Sequence, residues 1–267
     1  MKYFIDTEFH EYKKQQKVLG FNIGKAIDTI DLISIGIVSE DGDKYYAISK
    51  EFDVDDAWSN AWLRENVLKG IFIELNSQMG TYYKTHHYYL TDTFCLKHLK
   101  RLIRWCGKSR GEIREEIMQF VYKNNHISVS SGALRTNTTH EPIEFYAYYA
   151  DYDWVVFCWI FGRMIDLPKG FPMYCNDLKQ SLDEVVNELD WSLKKDINNK
   201  KLNSVHYHND SLFKGIDRYA DFQEKLDKVK SFKEYPTQGD NEHNALADAQ
   251  WNRELHEFIR LLKYFNL

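Results

Sequence analysis

The run Ile5-Asp6-Thr7-Glu8-Phe9 places two acidic side chains, two residues apart, inside a segment that otherwise has the pattern of a buried strand. Residues i and i+2 of a strand point to the same face, so we expect Asp6 and Glu8 to lie side by side. Two unpaired carboxylates in apolar surroundings repel each other unless protons or cations neutralise them. A metal cluster is therefore one interpretation, and a pair of solvated carboxylates on a half-exposed strand is the other.

A second candidate lies near the C-terminus, in the run His243-Asn244-Ala245-Leu246-Ala247-Asp248-Ala249. Apolar residues with helical spacing follow it, at Leu255, Phe258, Ile259 and Leu262. We expect a helix that begins near Asn244 and carries Asp248 in its second turn. Residues five apart on a helix lie about 140° from each other, so His243 can approach Asp248 only from a loop that bends back. A surface imidazole before a helix is the alternative.

The third candidate is an aspartate within residues 145–157, FYAYYADYDWVVF, an aromatic strand that runs into an apolar stretch. Acidic residues in so apolar a neighbourhood require an explanation. We expect one of Asp151 and Asp153 to face the same site as the N-terminal acidic pair, and the other to cap a helix or occupy a solvated turn. Asp153 is the preferred candidate.

In this order, the acidic pair, the aspartate before an aromatic helix and the His-x-x-x-x-Asp spacing resemble the DEDDh 3′→5′ exonuclease superfamily, which has an RNase H-like fold. Residues 4–9, 31–38 and 41–49 look like the ribonuclease AS branch, whose members are polyadenylate-preferring 3′→5′ exoribonucleases. The likeness continues at Asp153 and over residues 171–180, and it covers about two thirds of the chain. Every catalytic position of the family is occupied.

Two stretches depart from the family pattern because they add length, at about 71–105 and about 197–235. Both could alter the path of the substrate and the contacts between subunits. The resemblance implies a homodimer as a possible assembly, and the two insertions could either create or block its interface.

The resemblance also implies a metal-dependent mechanism. Hydrolysis of a phosphodiester builds negative charge on the attacking and leaving oxygens, and two divalent ions can stabilise both. Mg²⁺ and Mn²⁺ prefer oxygen ligands, so a set of about four carboxylates suits two of these ions. Asp6, Glu8, Asp153 and Asp248 would be the catalytic metal ligands. His243, whose usual pKa is about 6.5, would be the general base.

Composition limits how nucleic acid could bind. The chain has 267 residues and a formal net charge of −5, which argues against bulk electrostatic capture and favours a local patch. One candidate patch is the basic series Lys97, Lys100, Arg101, Arg104, Lys108, Arg110 and Arg114. We name Lys100, Arg101 and Arg104 as substrate-binding candidates, with a solvated helix face as the alternative. Phe9 is a further candidate, because its ring could stack on a terminal base.

Cysteine usage and hydropathy indicate a cytoplasmic protein. The four cysteines show no C-x-x-C pairing, so buried reduced thiols are expected rather than a zinc or redox motif. No stretch approaches 18 uninterrupted apolar residues, and the N-terminus leads straight into a strand, so neither a membrane span nor a signal peptide is expected. The Lys-, Asn-, Tyr- and Phe-rich usage suits an AT-rich genome, either bacteriophage or bacterial.

The order of predicted elements indicates an α/β fold in one domain, residues 1–267, since no Pro-, Gly- or Ser-rich linker divides the chain. Strands are predicted at 2–9, about 30–39, about 43–49 and 143–149, and they form a mixed sheet flanked by helices. Helices are predicted at 58–68 and 178–189.

These observations predict a Mg²⁺- or Mn²⁺-dependent 3′→5′ exonuclease that releases nucleoside 5′-monophosphates from single-stranded RNA. A DNA exonuclease of the proofreading or repair kind, acting on single-stranded DNA, is one alternative. A nucleic-acid-binding module that keeps the fold without turnover is the other.

Overall fold

The computed structural model describes residues 1–18, 21–86, 93–125, 127–130, 133–136, 142–188, 214–239 and 242–265. The predicted insertion at 71–105 falls on two helices and their connection, of which residues 87–92 are outside the described part. Of the insertion at 197–235, residues 197–213 are outside the described part, and the rest is largely one helix.

The described residues form seven strands, β1 (Lys2–Val18), β2 (Phe21–Ser39), β3 (Lys44–Ile48), β4 (Ile127–Ser130), β5 (Ala133–Thr136), β6 (Glu144–Ala147) and β7 (Asn176–Asp177). Five of them make a mixed sheet in the order β3-β2-β1-β6-β7. β1, β2 and β3 are antiparallel, whereas β6 and β7 run parallel to β1. β4 and β5 form a separate antiparallel pair.

β1 and β2 extend well beyond the strands that the sequence predicted. Their pairing begins with Tyr3 opposite Ser39 and ends with Val18 opposite Phe21. The apolar pattern stops near Phe9 because the outer part of the hairpin has largely exposed side chains, and backbone pairing there does not require burial. A β-bulge between Glu8 and Phe9 interrupts the register directly after the acidic pair.

The helices are α1 (Val54–Ser59), α2 (Ala61–Leu63), α3 (Lys69–His86), α4 (Leu96–Cys106), α5 (Arg110–Asn124), α6 (Ala150–Phe161), α7 (Leu178–Glu188), α8 (Lys214–Lys230) and α9 (Ala245–Phe265). The helix predicted at 58–68 is interrupted at Asn60, and beyond it α2 continues through a π-helical turn, Arg64–Leu68, into α3. The Asn60 side chain accepts hydrogen bonds from the backbone N–H groups of Trp62 at 3.0 Å and Leu63 at 3.2 Å, which starts a second helix. The helix predicted at 178–189 is confirmed.

Helices cover both faces of the sheet. α5 and α6 pack against Tyr3, Ile5 and Phe145 in one apolar cluster. α7, α8 and α9 share a second cluster, and α9 lies directly against β1 and β2. A third cluster joins β2 and β3 to the helices α1 to α4. The predicted α/β class with a mixed sheet flanked by helices is confirmed and is consistent with an RNase H-like fold.

Two minor predictions can be compared with the described residues. No helix among them has the length and apolar character that a bilayer crossing requires. The four cysteines are free thiols, but only Cys158 is buried, because the other three lie at partly exposed helix ends or loops. The prediction of four buried thiols was therefore wrong for three of them.

Gly36 permits the closest contact between the sheet and α9. It lies on β2 opposite Asp6 of β1. A Cβ atom at Gly36 would lie 2.2 Å from the carbonyl oxygen of Ala245, the first residue of α9. Only a glycine therefore lets the first turn of α9 rest on β2, and this contact brings Asp248 over the acidic pair.

We expect Gly36→Ala to lower the free energy of unfolding by at least about 1–3 kcal/mol, because the new methyl group must displace backbone atoms of α9. Gly70→Ala is the matched control, since a Cβ there meets no atom within 4 Å. That helical substitution should instead keep or raise stability, by about 0.5–1 kcal/mol. Urea unfolding in EDTA measures the free energy of unfolding of both variants. A Gly36→Ala variant as stable as wild type would contradict the close contact between β2 and α9.

Candidate active site

Asp6 and Glu8 lie on the face of β1 that α9 covers. Side chains alternate along a strand, and Phe4, on the same face, has its ring 5.2 Å from the ring of His256 on α9. Asp6, Glu8 and Asp248 each offer one oxygen, and these three oxygens lie within 4.8 Å of one another. The structure therefore brings the N-terminal acidic pair and the C-terminal aspartate into one cluster.

The cap of α9 and two hydrogen bonds fix the position of Asp248. The Asn244 side-chain oxygen accepts hydrogen bonds from two backbone N–H groups of the first turn, both at 3.1 Å. One oxygen of Asp248 accepts from the backbone N–H of His243 at 3.0 Å, and the other accepts from the amide of Gln238 at 3.1 Å. Because α9 begins at Ala245, Asp248 lies in the first turn rather than in the predicted second turn.

Asp153 is buried in the first turn of α6, whereas Asp151 is exposed. One oxygen of Asp153 accepts hydrogen bonds from Thr7, at 2.8 Å from its backbone N–H and at 2.6 Å from its hydroxyl. Asp153 lines the same cleft as the other three carboxylates. Of the two aspartates considered from the sequence, Asp153 is thus the one that the fold places in the cleft.

Burial raises the pKa of all four carboxyl groups. The pKa of Asp6 lies well above its usual value, first because of burial and then because of the charges of Asp153, Glu8 and Asp248. Burial, with the same kind of repulsion, raises the pKa of Glu8 to about 8. The pKa of Asp153 rises to about 7 by burial, although the hydrogen bonds from Thr7 act in the opposite direction. The pKa of Asp248 is raised, again mainly by burial. Without cations, the cluster therefore retains protons near neutral pH.

His243 lies on the connection before α9 and lines the cleft. Its φ of +68° is in the left-handed region, which non-glycine residues adopt rarely. The imidazole meets the ring of Trp62 edge to face, with the ring centroids 4.8 Å apart. The backbone turn and the contact with the indole together fix the position of His243 at the edge of the cleft. The loop position predicted for His243 agrees with this arrangement.

Several residues that hold the site together were not identified from the sequence. Asn252 donates a hydrogen bond to the carbonyl of Ile5 at 2.9 Å and ties α9 to β1. The Trp251 indole donates to the carbonyl of Pro236 at 3.0 Å, which anchors the segment that carries Gln238. Asn252 lies four residues after Asp248 on one helix face, and this spacing was the available signal. No comparable sequence signal indicates Trp62, Thr7 or Gln238.

The cleft has a volume of about 320 Å³ and combines carboxylates with aromatic rings. The rings of Phe9 and Tyr152 stack with centroids 5.6 Å apart and an interplanar angle of 11°. Tyr148, Tyr149 and Trp251 complete the aromatic lining. Glu242 adds a fifth acidic side chain, and the described lining residues include no lysine or arginine. The cleft therefore offers negative oxygens and stacking surfaces without a compensating cation.

The three predicted substrate-binding cations do not line this cleft. Lys100 forms an ion pair with Asp55 of α1, and the guanidinium of Arg101 lies over the ring of Trp105, 5.3 Å from its centroid. Arg104 lines a different groove together with Lys100. Their helix, α4, packs against α1, and a role of these three residues in substrate binding stays a prediction. Phe9, in contrast, lies inside the cleft.

The donor set fits a hard divalent cation. Three carboxylate oxygens from separate side chains converge within 4.8 Å, and a fourth carboxylate, Asp153, lies beside them. The ligand atoms are oxygens, with no thiolate in the cluster, which suits Mg²⁺ or Mn²⁺. Burial first, and then the charges of the neighbouring acids, raise the pKa of Asp6 and Glu8, and no lysine or arginine is among the described lining residues. A bound cation would relieve this repulsion.

An acidic cleft of this kind on an α/β sheet defines a candidate class, the enzymes that cleave phosphodiester bonds with divalent ions. Comparison with known proteins specifies the family. Residues 1–260 match the family described as the 3′-5′ exoribonuclease Rv2179c-like domain, and the chain belongs to this family of enzymes. The predicted 3′→5′ exoribonuclease class is thereby confirmed.

Two curated relatives, both from Mycobacterium tuberculosis, are similar to this chain. They are the 3′-5′ exoribonuclease MT2234.1 of strain CDC 1551 / Oshkosh and the 3′-5′ exoribonuclease Rv2179c of strain ATCC 25618 / H37Rv. Each is 32% identical over 180 residues, which covers 67% of this chain and 73% of the relative.

We expect the EDTA-treated protein to lose stability as the pH rises from about 5 to about 8. The cluster carboxyls have raised pKa values in the folded state, about 8 for Glu8 and about 7 for Asp153, so the folded protein binds more protons than the unfolded chain in this window. The stabilisation is complete below about pH 4 and is lost as the pH passes through the folded-state values.

Asp6→Asn should flatten this pH dependence, because it removes one charge from the cluster, whereas the exposed Asp151→Asn should keep the wild-type slope. Excess Mn²⁺ should raise the melting temperature more at pH 8 than at pH 5. Thermal melts across pH measure these effects. A wild-type curve that does not fall over this range would show that folding does not raise the pKa values of these carboxyl groups.

Proposed function

We propose that this protein is a divalent-metal-dependent 3′→5′ exoribonuclease that releases nucleoside 5′-monophosphates from single-stranded RNA. The observation that carries the proposal is the carboxylate cluster of Asp6, Glu8 and Asp248, with Asp153 beside it, in an aromatic cleft. Family membership supports the 3′→5′ polarity and the RNA substrate. Assignment to the DEDDh branch rests on the roles proposed here for these carboxylates and for His243.

Asp6, Glu8, Asp153 and Asp248 would together hold two Mg²⁺ or Mn²⁺ ions. Bound ions would supply stabilisation of the negative charge on the attacking and leaving oxygens. The hydrogen bonds from Thr7 to a single oxygen of Asp153 keep that carboxylate directed into the cleft. Hydrogen bonds from backbone and neighbouring side chains therefore position Asp153 and Asp248 before substrate arrives.

His243 would act as the general base that removes the proton from the attacking water. A neutral imidazole can accept this proton near physiological pH. The backbone N–H of His243 holds Asp248, so the base and the carboxylate keep a fixed spacing. The ring contact with Trp62, with centroids 4.8 Å apart, limits rotation of the imidazole.

The stacked rings of Phe9 and Tyr152 would hold the 3′-terminal base, because aromatic side chains bind any base through its π-face. A strand end must be splayed from its partner before its phosphate can reach the buried carboxylates, so we expect duplexes to resist. A contact to the 2′-hydroxyl would provide the preference for RNA. A homodimeric assembly and a cytoplasmic location stay predictions.

The test of the proposed function is a time course on 5′-labelled single-stranded RNA and DNA of one sequence, with Mg²⁺, Mn²⁺ or EDTA. We expect a ladder of 3′-shortened RNA products only with metal, and RNA cut at least about tenfold faster than DNA, a difference of about 1.4 kcal/mol that one hydrogen bond can supply. Asp153→Asn should abolish the ladder, and Asp151→Asn should retain it. Equal or faster cutting of DNA would favour the DNA exonuclease, and no cutting would favour the binding module.

His243→Ala should lower turnover by about 10²–10⁴-fold while Mn²⁺ affinity stays close to the wild-type value. The acidic limb of the pH–rate profile should disappear, because that limb reports protonation of the base. His98→Ala, which changes a histidine outside the cleft, is the control. Calorimetric titration with Mn²⁺ distinguishes a general base from a metal ligand. If His243→Ala lost Mn²⁺ affinity together with turnover, His243 would be a metal ligand.

A further inference from the structure

α6 carries aromatic side chains on an exposed face. Tyr152 is 49% exposed and Trp159 is 42% exposed, although most of the helix is core. The two residues are seven apart, so they lie on the same face, separated by two turns or about 10 Å along the helix axis. An exposed aromatic face of this kind commonly marks a binding surface.

Two grooves connect the active-site cleft with Trp159. Tyr152 lines the cleft and also a groove of about 550 Å³ between α6 and the β1–β2 hairpin. Trp159 lines the same groove and a second one of about 240 Å³, and Thr29 and Ile30 also line both grooves. A continuous path therefore leaves the cleft at Tyr152 and reaches Trp159.

A cation stands at the far end of this path. Arg110, at the start of α5, donates a hydrogen bond from Nη1 to the carbonyl of Trp159 at 3.4 Å and lines the second groove. Its side chain is 61% exposed, and Glu51 at 3.8 Å offsets part of its charge. Lys14 lines the same groove. An indole ring and a guanidinium that line one groove can bind a base by stacking and a phosphate by charge, as single-stranded nucleic acid requires.

We propose that the RNA strand upstream of the 3′-terminal nucleotide follows this path, with a base stacked on Trp159 and a phosphate beside Arg110. The inference rests on the proposed function and adds a second binding site to it. Nucleotides in a stacked strand are about 3.4 Å apart, so the 10 Å between Tyr152 and Trp159 corresponds to about three nucleotides. With the terminal nucleotide at Tyr152, the fourth nucleotide is therefore the first that reaches Trp159, so the strand needs at least about four nucleotides.

Continuity with the cleft and the adjacent Arg110 favour a nucleic-acid strand over a second copy of this chain. A second copy would bury the aromatic face without needing a path to the carboxylates. The two occupants predict different results, because only a strand makes the rate depend on substrate length.

The experiment compares 5′-labelled RNA of 2 and 12 nucleotides with the full chain and Mn²⁺. We expect wild type to have a higher kcat/KM on the 12-mer than on the dinucleotide. Trp159→Ala should lower kcat/KM on the 12-mer about tenfold and leave kcat/KM on the dinucleotide nearly unchanged. Trp159→Phe should keep most of the wild-type kcat/KM on the 12-mer, because an aromatic ring remains. Tyr264→Ala, at an exposed aromatic residue near the end of α9, is the control and should match wild type.

Arg110→Gln should weaken 12-mer binding and reduce the slope of log affinity against log salt by about 0.7, the value for one phosphate of a single strand. Binding of a fluorescent 12-mer in EDTA, followed by anisotropy, decides the path without cleavage. If the wild-type protein cuts neither oligomer, the proposed function is wrong. If wild type and Trp159→Ala bind the 12-mer with equal affinity, the proposed path is wrong, whatever the outcome for the function. The path is also overturned if Trp159→Ala keeps the wild-type dependence of kcat/KM on RNA length. It is likewise overturned if the substitution dissociates a dimer, as measured by sedimentation, and lowers kcat/KM equally on both oligomers.

Discussion

The contact between the first turn of α9 and β2 at Gly36 is the constraint on which the site depends. Because Gly36 has no side chain, the backbone of Ala245 rests directly on the strand opposite Asp6. Asn252 reinforces this contact two turns along α9 through its hydrogen bond to Ile5. A helix from the end of the chain thereby reaches the carboxylates of its first strand.

The same close packing creates an electrostatic cost. Asp6, Glu8, Asp153 and Asp248 are brought together in one cleft, and burial and like-charge repulsion raise their pKa values. Such a cluster lowers the stability of the metal-free fold and gives a strong preference for cations. Under the proposed mechanism, stability and activity depend on the same side chains, as in many enzymes whose sites are strained by their function.

Aromatic stacking would allow a protein with a formal net charge of −5 to bind a negatively charged nucleic acid. Aromatic rings line the cleft, whereas Lys100, Arg101 and Arg104 of α4 lie outside it, and Lys100 forms an ion pair with Asp55. Stacking does not require a positive field, and bound divalent ions would supply the charge that the described cleft residues lack. The proposed path ends in the same combination of groups, since Trp159 would stack on a base and Arg110 would lie beside a phosphate.

The sequence by itself determined the α/β class, the central strands, the C-terminal helix and the acidic residues, because strand alternation and helical spacing are local patterns. The sequence favoured Asp153 over Asp151 without excluding either, and the tertiary structure placed Asp153 in the cleft, where Thr7, distant in sequence, provides its hydrogen bonds. The tertiary structure likewise placed Trp62 against His243 and extended the β1–β2 hairpin beyond its apolar segment. These features depend on contacts between distant segments and on backbone pairing, which leave no periodic pattern of side chains in the chain.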